Sequence, residues 1–125
     1  MIGIDTNVLV RYLVQDDVTQ SKKASDIIEK EESIYINQIV LCETVWVLSR
    51  GYLCSKNVII DVLEKILTIR QFEIEDKNTV WAAMHVFKNA SADFSDCLIG
   101  VKNKHACCAT TVTFDKKAAL LGEFS

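Results

Sequence analysis

Four acidic side chains, two at the ends of apolar strand-like segments, one on an apolar helical face and one in the first turn of a helix, can be brought to one edge: Asp5, Asp115, Glu43 and Asp96. The first closes Ile2-Gly3-Ile4 and is followed by a hydroxyl and an amide, Thr6 and Asn7. A short strand running into Asp-Thr-Asn and then a helical segment places Asp5 at the carboxyl end of that strand, the edge where α/β sheets collect ligands and catalytic groups. If the other three acids reach the same edge, the cleft must be neutralised. At about 5 Å and an effective dielectric near 20, each carboxylate pair repels by roughly 3 kcal/mol, so protons or cations must intervene. Oxygen-only donors select hard ions, Mg²⁺ or Mn²⁺, held by a few carboxylates together with water and substrate phosphate. Such a site orients a phosphodiester, activates a water for in-line attack and stabilises the leaving oxygen.

Each acid also has a plainer explanation. Glu43 lies in Ile39-Val40-Leu41-Cys42-Glu43-Thr44-Val45-Trp46-Val47, with Ile39, Val40, Trp46 and Val47 at helical spacing around it. A carboxylate amid so much apolar surface needs a partner, which is a ligand or, alternatively, a cation such as Arg50. Asp93 with Asp96 three residues later matches a helix start, so capping is the simpler role for Asp93. Asp96 faces the same way as Ile99 and Gly100. Asp115 ends the β-branched run Thr110-Thr111-Val112-Thr113-Phe114 and precedes a short helical stretch that it could merely cap.

These residues must be carried by alternating elements. Helices are expected at Val8–Val14, from Thr19 to about Glu31 with Ala24, Ile27 and Ile28 inward, and from Gln38 to Tyr52 behind an Asn37 cap. A fourth begins at the cap Ser55 and bears the stripe Ile59, Val62, Leu63, Ile66 and Leu67. The fifth runs from Asp76 to Lys88 with Val80, Met84 and Phe87 inward, the sixth from Asp93 to His105, and the last from Lys116 to Leu121. Strands are expected at the N-terminus, at Ser33–Ile36, at Gln71–Ile74 and at Thr110–Phe114. With no proline, repeat or linker among 125 residues, the alternation predicts one domain, 1–125, built on a parallel-type sheet.

Composition limits the function classes. Half of the residues are hydrophobic and a quarter charged, and the formal net charge is −3, so the chain lacks the basic surplus of a general polyanion binder. No apolar run is long enough to cross a membrane, and Asp5 interrupts the N-terminal stretch before it could act as a signal-peptide core, which predicts a cytoplasmic protein. Five cysteines, Cys42, Cys54, Cys97, Cys107 and Cys108, show no zinc-type spacing and read as reduced thiols. Oxidation is of interest only at the adjacent pair. His85 and His105 lie away from the acidic motifs and read as structural or exposed. Phosphate contacts, if any, fall to rim cations, Arg11 after Asn7 and Lys116 and Lys117 after Asp115, each of which could equally be solvated surface charge.

Taken in order, Asp5-Thr6-Asn7-Val8-Leu9, helix-borne Glu43, Asp93-Phe94-Ser95-Asp96-Cys97-Leu98-Ile99 and Thr113-Phe114-Asp115-Lys116-Lys117 resemble the PIN-domain ribonucleases, in particular the VapC-type toxins of type II toxin–antitoxin pairs. The resemblance implies a three-layer α/β/α PIN-like domain with a central, mainly parallel sheet. It implies a Mg²⁺-dependent endoribonuclease, homodimeric and silenced by a cognate antitoxin. By position, Asp5, Glu43, Asp96 and Asp115 match the acidic quartet, with Asp5 and Asp96 as direct metal ligands, and Thr6, Asn7, Thr113 and Asp93 match supporting positions. Cys97 and Gly100 stand where alanine is commoner in the family, and little chain follows Phe124 for a final edge strand. Rival readings are a nuclease acting on DNA and a catalytically silent PIN-like interaction module. An aspartyl-nucleophile phosphatase would want a second acid at the position of Asn7.

Overall fold

The computed structural model describes residues 1–121, and the question of a final edge strand lies outside them. Two compact units divide the chain, Met1–Glu75 and a second beginning at Asp76.

The first unit is built on a three-stranded parallel sheet in the order β1-β2-β3, with β1 at Ile2–Gly3, β2 at Ile34–Ile36 and β3 at Phe72–Ile74. Ile2 pairs with Ile34, and Ile34 to Ile36 pair with Phe72 to Ile74 in parallel register. Helices α1 (Thr6–Val14) and α2 (Val18–Lys30) connect β1 to β2, while α3 (Gln38–Trp46) and α4 (Lys56–Thr68) connect β2 to β3. Parallel neighbours require such crossovers, so alternating periodicity and parallel pairing are one constraint. Side-chain oxygens start these helices: Asp5, Asp17, Asn37 and Ser55 each accept a backbone N–H three residues on. In the α4 stripe Ile59, Leu63, Ile66 and Leu67 are buried, as are Ile34, Ile36 and Phe72 of the sheet, while Val62 is half-buried. Tyr12 of α1 meets Phe72 edge to face at 6.3 Å.

Two expectations for this unit change. Ile27 is half open, leaving Ala24 and Ile28, with the polar Ser21, as the buried positions of α2. The third helix does not run regularly to Tyr52, because Val47–Gly51 widens into a π-helical turn, closed by the Tyr52 N–H donating to the Val47 carbonyl at 3.2 Å. The extra residue per turn shifts the phase of everything that follows, and Tyr52 leaves the helix directed at the α1–α2 junction. There its hydroxyl donates to Asp16 Oδ2 at 2.7 Å.

In the second unit, α5 (Lys77–Lys88) packs on α6 (Phe94–His105) through Val80, Met84, Phe87, Phe94, Cys97 and Val101, with the Phe87 and Phe94 rings edge to face at 5.8 Å. A polar brace joins the other ends of the pair. The buried Thr79 hydroxyl donates to Asp76 Oδ2 at 2.6 Å and lies 3.2 Å from His105 Nδ1. With its one proton given to Asp76, Thr79 must accept from His105, which fixes the Nδ1–H tautomer. His105 is thus structural.

The expected strand at Thr110–Phe114 is not formed. Only Thr111 makes an isolated bridge, and the segment runs extended into a four-residue helix, α7 (Lys116–Ala119). β-branched residues favour strands when their side chains pack on a half-buried surface. Here Val112 is 77% exposed and Phe114 fully so, which removes that stabilisation.

Candidate active site

The acids fall into two clusters, one in each unit. In the first unit, Asp5 follows β1 and occupies the N-cap of α1. Its carbonyl accepts from the Leu9 N–H at 3.2 Å and its Oδ1 from the Val8 N–H at 3.0 Å, which leaves Oδ2 with no donor among the described residues. Thr6, the next residue, donates its hydroxyl to Glu43 Oε1 at 2.7 Å. That bond spans 37 residues and places the α3 carboxylate beside the residue that follows Asp5. Glu43 is exposed and makes no ion pair with Arg50, so the cation-partner alternative fails. Its surroundings also differ from expectation, since Ile39 and Trp46 are 72% and 62% exposed and the burial on α3 belongs to Val40, Leu41, Thr44 and Val45. A helix apolar on all sides gives no inward direction from pattern alone.

In the second unit, Asp93 holds the N-cap position of α6 with suitable backbone angles, yet its carboxylate accepts no capping bond. Asp96 lies in the first turn, half-buried. Its pKa is raised, first by desolvation and then by the charges of Asp115 and Asp93. Three acids therefore share one local field. Asp115 is not at the end of a strand as expected but at the start of α7, where Oδ1 accepts from the Ala118 N–H at 2.9 Å. Thr113 supports it by accepting the Asp115 N–H at 3.0 Å. Lys116 and Lys117 are exposed in the turn that follows.

Arg11 is more committed than a free rim cation. Nη1 donates to Asp16 Oδ1 and Nε to Gln20 Oε1, both at 2.8 Å. The Tyr52 hydroxyl and then Arg11 hold the Asp16 carboxyl below its ordinary value. This knot, invisible in the sequence because its members come from three elements, ties α1 to α2 and to the residue after the π-helical turn. Beside it, Asn7, Val8, Arg11, Gln20, Lys23, Ala24 and Ile27 line a cleft of about 160 Å³.

As donors, both clusters offer carboxylate oxygen and nothing softer, which suits Mg²⁺ or Mn²⁺ and not zinc. Among the described residues no three His, Cys, Asp or Glu side chains converge into a preassembled cage. Mg²⁺ does not require one, since it is commonly held by one or two carboxylates with water and substrate phosphate. No ion pair to a basic side chain neutralises Asp5, Glu43, Asp93, Asp96 or Asp115 among the described residues.

A parallel sheet with a strand-end Asp-Thr-Asn and unneutralised acids defines a class, and comparison with known proteins agrees. The chain belongs to the PIN domain family, whose family model matches residues 2–123, and so to the three-layer α/β/α fold class. It is also similar to a VapC ribonuclease of Aquifex aeolicus (strain VF5), at 28% identity over 122 residues that cover 95% of this chain and 90% of that protein. Among the described residues no helix is long and apolar enough to cross a membrane.

Proposed function

We propose that this PIN domain is a Mg²⁺-dependent endoribonuclease, the toxin of a toxin–antitoxin pair, acting in the cytoplasm as a homodimer and held silent by a cognate antitoxin. The observation that carries the reading is the set of carboxylates left without a cation: Asp96 with its pKa raised by burial and by Asp115 and Asp93, and Asp5 with one oxygen spent on its helix and the other open. Membership of the family and likeness to a VapC ribonuclease support it.

In this reading Asp5 and Asp96 bind the metal directly and Glu43 and Asp115 complete the acidic quartet. When bound, Mg²⁺ or Mn²⁺ supplies Lewis acidity that lowers the pKa of an attacking water and stabilises the leaving oxygen. The protein's part is positional. Asp5 Oδ1 is fixed by the Val8 N–H, so the carboxylate presents Oδ2 in one orientation, and Thr6 holds Glu43 in a single rotamer. Thr113 orients Asp115 through its backbone. Asn7 supports the acids, and Lys116 and Lys117 meet the RNA backbone, whereas Arg11, given the same role from the sequence, acts chiefly as the tether of α1.

The test is cleavage of a labelled RNA and of a DNA of the same sequence. The reading expects RNA cut, loss of cutting with EDTA, recovery with Mg²⁺ or Mn²⁺, and loss in both Asp5→Asn and Asp96→Asn. RNA left intact at high protein concentration would favour a silent interaction module, and equal cutting of DNA would remove the RNA assignment. If a small gene adjoins the coding region, adding its purified product tests the antitoxin.

A further inference from the structure

Cys107 and Cys108 are both exposed, whereas Cys97 is buried and Cys42 and Cys54 are half-buried. They also form the stop of α6. The Cys108 N–H donates to the Asn103 carbonyl and the Cys107 N–H to the Lys104 carbonyl, both at 3.0 Å, the two bonds of a Schellman motif with Ala106 as cap. That motif needs a left-handed residue at the position of Cys107, and Cys107 adopts it, with φ at 70°. Glycine takes this conformation freely, while an L side chain does so at a cost of about 1 kcal/mol or more. A thiol therefore occupies the one turn position where any side chain is unfavourable, and its neighbour is a second thiol in water. The last turn adds Lys102 and Lys104, a local cationic field that favours approach of an anionic disulfide.

From this we infer that Cys107–Cys108 is a reversible thiol–disulfide exchange site for low-molecular-weight disulfides, independent of the acidic clusters. One thiolate attacks the small disulfide, forming a protein mixed disulfide and releasing one small thiol. The adjacent thiol loses its proton and attacks the protein sulfur of that bond, releasing the second small thiol and closing Cys107–Cys108. The protein loses two protons and two electrons net, and the small disulfide is reduced to two thiols. Neighbouring Cα atoms lie about 3.8 Å apart, below the usual disulfide range, so the closed bond is readily reduced and the site is a labile one. Closure also constrains the peptide whose N–H groups make the Schellman bonds. Asn103, which accepts one of them, donates through Nδ2 to Thr111 Oγ1 at 3.0 Å, so the disturbance reaches the segment that carries Thr113 and Asp115.

The experiment treats the reduced full-length chain with excess glutathione disulfide, followed by peptide mass mapping with and without dithiothreitol. The expected product is a loss of two hydrogens confined to the peptide holding Cys107 and Cys108, reversed by dithiothreitol, with faster amide exchange over residues 107–115. Cys108→Ser should stop at a mixed disulfide on Cys107. Cys107→Gly, which keeps the turn, should do the same on Cys108. Disulfide-linked dimers in place of the internal bond, stable mixed disulfides on both thiols, or prior reaction at Cys42 or Cys54 would each overturn the inference. None of these readouts depends on RNA cleavage.

Discussion

Asp5 has two tasks that substitution can separate. One oxygen accepts the Val8 N–H at 3.0 Å and starts α1, and the proposed function assigns the other to a cation. Asparagine caps a helix about as well as aspartate but binds a hard cation poorly, whereas alanine does neither. Loss of an N-cap costs about 1 kcal/mol. For a chain of 125 residues the unfolding entropy is about 0.26 kcal/mol/K, so 1 kcal/mol corresponds to about 4 °C in Tm. Asp5→Ala should therefore melt about 4 °C below the parent chain in EDTA. Asp5→Asn should stay within about 2 °C, since only a charge–dipole interaction of a few tenths of a kcal/mol is lost and a like charge near Glu43 is removed with it.

The assay pairs thermal melts in EDTA with single-turnover cleavage of a labelled RNA in Mg²⁺. Both variants should lose cleavage, and only alanine should lose stability. The same pair melted with and without Mg²⁺ should show metal stabilising the parent and neither variant. Equal destabilisation by asparagine and alanine would refute the capping argument, and parental cleavage rates in Asp5→Asn would refute the metal-ligand role.

Thr6→Val removes the 2.7 Å bond to Glu43. Stability should fall by about 1 kcal/mol or less in urea titrations, cleavage should drop much further, and Thr6→Ser should restore both. The pKa of Asp96 is raised by folding, so its contribution to stability is present below the ordinary carboxylate range and is lost as pH rises through the raised value. Asp96→Asn should accordingly stabilise the metal-free chain near neutrality, the gain should vanish on acidification, and Mg²⁺ should cancel it. Asp76 is the opposite case, held low first by the Thr79 hydroxyl, so its contribution is present above the ordinary value and is lost as pH falls through the depressed one. Asp76→Asn should flatten that acid limb in melts recorded against pH. Tyr52→Phe removes the largest cause of the lowered Asp16 pKa, so the Asp16 titration followed by NMR should move up toward the ordinary carboxylate value, and an unmoved midpoint would refute the assignment.

What the sequence made legible is what depends on local order. Apolar period and short polar caps located the helix starts to within about two residues, and Asn37 and Ser55 cap where their side chains predict, while the regular part of α3 stops at Trp46 and not at Tyr52. The parallel sheet followed from alternation. Thr110–Phe114 misled because β-branched residues express strand preference only with a surface to pack against, and Val112 and Phe114 face water. The π-helical turn had no residue signature to betray it. The Arg11–Asp16–Tyr52 knot and the Asp76–Thr79–His105 brace unite side chains 41 and 29 positions apart at their extremes, and only the folded chain reveals such partners.

The site residues were the hardest to read because capping and catalysis ask for the same thing. A short acid at the entrance to a helix satisfies both, and Asp5, Asp93 and Asp115 all stand at N-cap positions. The distinction lies in counting oxygens. Asp5 and Asp115 each give one oxygen to their helix and keep one, and Asp93 gives none. A purely structural cap gains nothing from being charged where two like charges already raise a neighbour's pKa, since serine or asparagine would satisfy the same N–H without repulsion. Retaining Asp93 and Asp115 as carboxylates around Asp96 is favourable only if a cation offsets their mutual repulsion, and that electrostatic balance, not the motif spacing, is the physical argument for the proposed metal-dependent site.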